Sequence, residues 1–135
     1  MSIRETAMTR WYWEQRGGVL IEEFQLVPKS PGIARRLVDG LVILGEEKMI
    51  FSSKKKAVDI SGKDVVAIQT KNSRLGMYLM GQTFFTARLL QSLKPRSIES
   101  VAVCAEDDGV MRSLLESCPM CKVIVCPPEI CSLRT

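Results

Sequence analysis

The ten residues KDVVAIQTKN, Lys63–Asn72, decide how the chain is read. Val65 to Ile68 form an unbroken apolar run between polar neighbours, the pattern of a strand buried on both faces. The run ends in Gln69 and Lys71, and strand residues two apart point to the same face. An amide and an ammonium thus stand side by side where a core strand stops. One reading is that the strand emerges into solvent there, since Asn72, Ser73 and Arg74 follow. The other is that a site begins there.

Upstream, RRLVDGLVILG (35–45) reads as a second apolar strand, broken by Asp39 and Gly40. A buried, unpartnered carboxylate costs several kcal/mol or takes up a proton, and a bound cation removes that cost. Gly40 allows a bend or bulge that re-aims the Asp39 side chain; a bulge residue at a strand edge is the plainer alternative. KMIFSS (48–53) is expected to pair with this strand through the GEEK turn, and VDISGKD (58–64) to add a polar connection with one more short strand. VLIEEFQLV (19–27) is a strand closed by the turn residues Pro28 to Gly32.

Residues 2–16 read as a helix with Ser2 as cap and Glu5 three residues on. An apolar stripe of Ile3, Ala7, Met8, Trp11 and Tyr12 runs along it, and Gly17-Gly18 stops it. Glu5 suits the positive end of the helix dipole in any case. Downstream of the Gln69 strand, 75–94 reads as a helix carrying Gln82 and ending at Pro95. A strand (97–105), a helix (107–118) and a last strand (121–126) before Pro127-Pro128 complete an α-β-β-β(-β)-α-β-α-β order. The expectation is one domain over 1–135 of α/β class, a central mixed sheet flanked by helices on both faces.

Composition narrows the chemistry. The chain has no histidine, which removes the usual base near neutral pH and the commonest zinc ligand, and with them Ser-His-Asp and Cys-His catalysis within the chain. Carboxylates, lysine, cysteine or a carboxylate-bound metal remain. A net charge of +4 mildly favours a polyanionic partner. Arg35, Arg36, Lys54, Lys55, Lys56 and Arg74 are candidate phosphate contacts, though each alone reads equally well as solvated surface charge. No apolar run reaches the roughly 20 residues that cross a membrane, and five cysteines, an odd number, fit a reducing cytoplasm better than a disulfide framework. Cys118, Cys121, Cys126 and Cys131 leave open a four-thiolate zinc site beside the default of ordinary small buried thiols.

Taken together, a Glu on the opening helix, an Asp on the second strand and then a strand with Gln-x-Lys resemble the PD-(D/E)xK nuclease superfamily. That superfamily includes restriction endonucleases, RecB-type nucleases and archaeal Holliday junction resolvases. The resemblance covers residues 2–126 as a sparse pattern and implies a restriction-endonuclease-like αβββαβ core. It implies Asp39 as the main metal-binding carboxylate, Gln69 in place of the motif's acid, Lys71 as the motif lysine and Glu5 as the helix glutamate. Gln82 would match a glutamine on the following helix, and the Thr70 carbonyl is a further candidate ligand. The activity implied is Mg²⁺- or Mn²⁺-dependent hydrolysis of DNA phosphodiesters, as an endonuclease in repair, recombination or defence and as a homodimer. A catalytically inactive module that binds nucleic acid or a protein is the alternative. Two departures stand out: Gln69 brings oxygen without charge, and the thirty residues from Asp39 to Gln69 call for an inserted hairpin around 48–61.

Overall fold

A computed structural model describes residues 2–52 and 58–131. In chain order these form α1 (Ile3–Arg16), β1 (Val19–Val27), β2 (Arg36–Ile43), β3 (Met49–Ser52), β4 (Asp64–Arg74), α2 (Met77–Leu90), β5 (Ser97–Glu106), α3 (Gly109–Glu116), β6 (Cys121–Val125) and a single turn, α4 (Pro128–Cys131). The strands make one mixed sheet in the order β3-β1-β2-β4-β5-β6. β2 is antiparallel to β1 and β4, while β1–β3, β4–β5 and β5–β6 are parallel. As expected of a strand covered on both sides, every residue of β4 from Val65 to Thr70 is buried.

The two faces carry different helices. On one, Met8, Tyr12 and Trp13 of α1, with Cys126 and Cys131 near α4, pack on Leu20, Val42, Val66, Ile68, Val101 and Val103. On the other, Leu90 of α2 meets Val65 and Ala67, and Leu79 and Ala87 meet Ala102 and Cys104. The Ser100 hydroxyl donates to the Thr83 carbonyl at 2.7 Å, tying α2 to β5 in a dry setting where an unmade bond would be costly.

Several expectations need correction. β3 does not pair with β2, because β1 and β4 already occupy both edges of β2. Residues 44–48 instead pass across the start of β1, and β3 runs parallel along its far side, Val19 opposite Met49. Gly18 lies under this crossing with φ 81°, where a Cβ would run into the Ile43 carbonyl oxygen. The insertion between Asp39 and Gln69 thus contributes one edge strand among the described residues rather than a hairpin, and 58–63 adds none. The buried face of α1 is Met8, Thr9, Tyr12 and Trp13, with Ile3 almost wholly exposed. Trp13 is accepted there because its indole N–H donates to the Gly18 carbonyl at 2.9 Å.

Gly40 is not a break in β2. The β1–β2 register passes through it unshifted, from Glu22↔Gly40 to Phe24↔Val38. Its glycine is required by packing: a Cβ would lie 2.8 Å from Thr9 Cγ2 and 2.9 Å from Leu20 Cδ1, so α1 rests directly on the strand. The irregularity sits one residue earlier. Ile21 and Phe24 share a core cluster, as do Val38 and Leu41, although residues three apart on a regular strand face opposite ways. Glu23, at φ 52°, and Asp39 across from it each step out of alternation, which is why the count on both strands stays equal.

Candidate functional site

The β2–β4 ladder runs from Ile43↔Val65 to Gly40↔Ile68 and stops there. Beyond it the Asp39 side chain does the work of a rung: its Oδ2 accepts from the Thr70 backbone N–H at 2.9 Å and from the Thr70 hydroxyl at 3.1 Å. Burial is the leading influence on Asp39 and pushes its pKa above the ordinary carboxylate value. The two Thr70 bonds pull the other way, and the negative charge of Glu5 adds to the rise.

Glu5 reaches this place from α1. Ser2 Oγ accepts from the Glu5 backbone N–H at 3.1 Å, the first half of a capping box. The Glu5 side chain turns to the sheet instead of back to Ser2, and its Oε2 accepts from the Asn72 backbone N–H at 3.3 Å. Thr9, one turn on, donates its hydroxyl to the Glu5 carbonyl at 2.9 Å and presents its methyl to Gly40. The absent side chain at Gly40 therefore lets α1 settle close enough for Glu5 to approach Asp39. Asn72 joins the group unannounced by any motif, and its Nδ2 is buried with no hydrogen-bond partner among the described residues. The sequence offered one hint: Asn72 shares the face of Thr70 by strand alternation.

Gln69 and Lys71 do share a face, but it is the α2 face. The Gln69 side chain, 3% exposed, donates Nε2 to Thr86 Oγ1 at 3.1 Å. The exposed Lys71 ammonium lies 5.9 Å from the centre of the Tyr78 ring at the start of α2. Thus Glu5, Asp39 and Thr70 meet from the α1 side, while Gln69 and Lys71 turn to α2 at the same end of the sheet. Gln82 lines a cleft of about 720 Å³ together with Gln69, Arg35, Arg36, Tyr78 and Phe85. Arg74 is engaged elsewhere, with Glu106 at 2.7 Å and the Asp107 carbonyl at 3.1 Å, so it is no open phosphate contact in this arrangement. Lys54, Lys55 and Lys56 lie outside the described residues.

As a metal site, Asp39 and Glu5 offer two carboxylates in electrostatic reach, one of them half-buried, with the Thr70 carbonyl on the same stretch of strand. This set of hard oxygens fits Mg²⁺ or Mn²⁺ bound through few protein ligands with water completing the shell. Among the described residues, no three His, Cys, Asp or Glu side chains gather as they would for a richer protein-made cage.

The cysteines do not form a four-thiolate site. Cys118 and Cys121 pack in the cluster beneath α2 and α3, whereas Cys126 and Cys131 belong to the α1 face. All five are free thiols. Burial pushes Cys104 up to about 11 and Cys121 and Cys126 up to about 12, with the neighbouring thiols Cys118 and Cys131 adding to the last two. Split between two clusters and packed among apolar side chains, these thiols suit a core.

No helix among the described residues is long and apolar enough to cross a membrane. Comparisons with protein families, curated proteins and solved structures return no match to this chain.

Proposed function

We propose that this protein is a metal-dependent nuclease that hydrolyses DNA phosphodiesters at the end of the sheet where β2 parts from β4. The observation that carries the reading is the Asp39 carboxylate: it is half-buried in that parting, held by Thr70 and electrostatically coupled to Glu5. A fold keeps a carboxylate at such a cost where a cation relieves it. Asp39 and Glu5 would hold Mg²⁺ or Mn²⁺, with the Thr70 carbonyl as a third oxygen. When bound, that ion supplies charge neutralisation at the scissile phosphate and a more acidic water.

The chain's own groups have separable tasks. Thr70 fixes the Asp39 carboxylate in one orientation through two hydrogen bonds. Asn72 Nδ2, a buried donor without a partner, is suited to a phosphate oxygen or an ordered water beside Glu5. Lys71 neutralises phosphate charge from the α2 side, and Arg35 and Arg36 extend that basic surface along the strand.

A binding-only module is the second reading. What favours it is Gln69, which is neutral and already bonded to Thr86. The two part in one assay: plasmid, single-stranded and branched DNA with Mg²⁺, Mn²⁺ or EDTA, for wild type, Asp39→Ala, Glu5→Gln and Lys71→Ala. Metal-dependent cleavage that falls by about 10²-fold or more in Asp39→Ala and Lys71→Ala supports the nuclease. Absence of metal-dependent cleavage by wild type, with DNA binding retained, gives the module.

A further inference from the structure

The cleft between the start of β2 and α2 mixes polar groups with apolar ones, Leu37, Met77 and Leu89 among them. One lip carries the guanidinium groups of Arg35 and Arg36, both exposed, and the other carries Tyr78 and Phe85, 73% and 62% exposed. Its floor holds Gln69 and Gln82. The Gln69 amide spends its Nε2 on Thr86, and no described group donates to its Oε1. Large aromatic rings left in water mark a contact surface, and here they border two amides, that of Gln69 held by Thr86, and a basic edge.

We infer that this cleft takes an unpaired nucleotide, so that the protein selects single-stranded or flapped DNA over uninterrupted duplex. Each part matches a requirement of that ligand. Tyr78 and Phe85 offer flat faces on which a base stacks, a contact available only once the base has left its helix. The Lys71 ammonium over Tyr78 adds a cation beside the same ring. Gln82 and the Gln69 oxygen supply acceptors and a donor for the edge of the base, and a glutamine amide pairs with an adenine edge in two bonds. Arg35 and Arg36 take the phosphates on either side. At about 720 Å³ the cleft lies within the size range of small-ligand sites. The inference rests on the nuclease reading only for its consequence, the choice of substrate; the binding itself needs neither metal nor cleavage.

The test is fluorescence anisotropy in EDTA, with a labelled 12-nucleotide single strand and the corresponding duplex. Wild type should bind the single strand more tightly. Tyr78→Ala and Phe85→Ala should each weaken it by about fivefold or more, leave duplex affinity within twofold and keep the wild-type melting curve, since both rings are largely exposed. Gln82→Ala should reduce the preference for adenine-rich over thymine-rich strands. Equal affinity for strand and duplex, or no loss in either aromatic variant, overturns the proposal. So does a dimer that Tyr78→Ala or Phe85→Ala dissociates while DNA affinity stays unchanged, which would give the rings to a second copy. Failure of the nuclease reading shows separately, as cleavage that Asp39→Ala leaves intact, and does not touch the EDTA result.

Discussion

Replacing Asp39 by Asn should make the protein more stable and less active. In the folded chain the Asp39 pKa is raised, chiefly by burial, so its ionised form is worse off in the fold than in water. The sign follows from linkage. Between the ordinary aspartate value and the raised folded value, the unfolded chain has lost this proton and the folded chain still holds it. Stability therefore falls as pH rises through that window, and the penalty is complete above it. Asn is neutral and nearly isosteric, and its Oδ1 can accept both Thr70 bonds. What is lost is the extra strength of a charged acceptor, about 1 kcal/mol per bond; what is gained is relief from partial desolvation and from the Glu5 repulsion. Because the balance of those same terms already raises the pKa, the net gain is positive and of order 0.5–2 kcal/mol at pH 7, or about 2–8 °C in melting temperature. The assay is urea unfolding of both proteins from pH 3.5 to 8. The difference should be small at the acid end and grow with pH to a plateau. An Asn variant less stable than wild type at pH 7, or a difference that does not change with pH, would refute the argument that Asp39 is kept against the interest of the fold.

Gly40→Ala should cost about 1–3 kcal/mol in urea unfolding, since its Cβ would crowd both Thr9 Cγ2 and Leu20 Cδ1; adding Thr9→Ser, which removes the crowding methyl, should return part of the loss, and strict additivity of the two changes would contradict the packing. Asp64 is held down to about 2 by hydrogen bonds from Arg96 and Ser97, so its stabilising effect is present above the ordinary aspartate value and is lost as pH falls toward 2. Carboxyl titration followed by NMR should show Arg96→Gln moving Asp64 back toward the ordinary value. In native protein at pH 8 a thiol reagent should modify half-exposed Cys118 first, with Cys104, Cys121, Cys126 and Cys131 reacting only as the chain unfolds; rapid native reaction of Cys126 would speak against its burial.

What the sequence revealed and what it hid divide along physical lines. β4 and the alternating second half were legible because burial on both faces writes a continuous apolar run, and βα alternation writes its own period. The place of β3 was not legible. MIFS has the composition of a strand, but which edge it takes depends on whether β2 still has one free, and β4, arriving later in the chain, had claimed it. Gly40 was read as a bend because a strand glycine beside an aspartate suggests one. Its actual reason is the methyl of Thr9, thirty-one residues away and on another element. The i, i+2 rule correctly put Gln69 and Lys71 on one face, but no spacing rule shows which helix covers that face.

The candidate site is accordingly divided between the two faces of the sheet. If the motif residues all projected to one side, a single cavity would hold ligand, metal and lysine together. Here the parting of β2 from β4 opens the sheet at its end, and acidic oxygens collect on the α1 side while amides, aromatics and cations collect on the α2 side. A strand of DNA lying across that end would meet both sets at once, phosphate toward Asp39 and Glu5 and base toward Tyr78. On this arrangement the two faces answer to different variants. Asp39→Ala should abolish cleavage with single-strand affinity in EDTA unchanged or increased, because a negative charge is gone. Tyr78→Ala should weaken binding, with cleavage at saturating DNA reduced far less. Parallel losses of binding and cleavage in both variants would mean that the two faces do not serve one substrate.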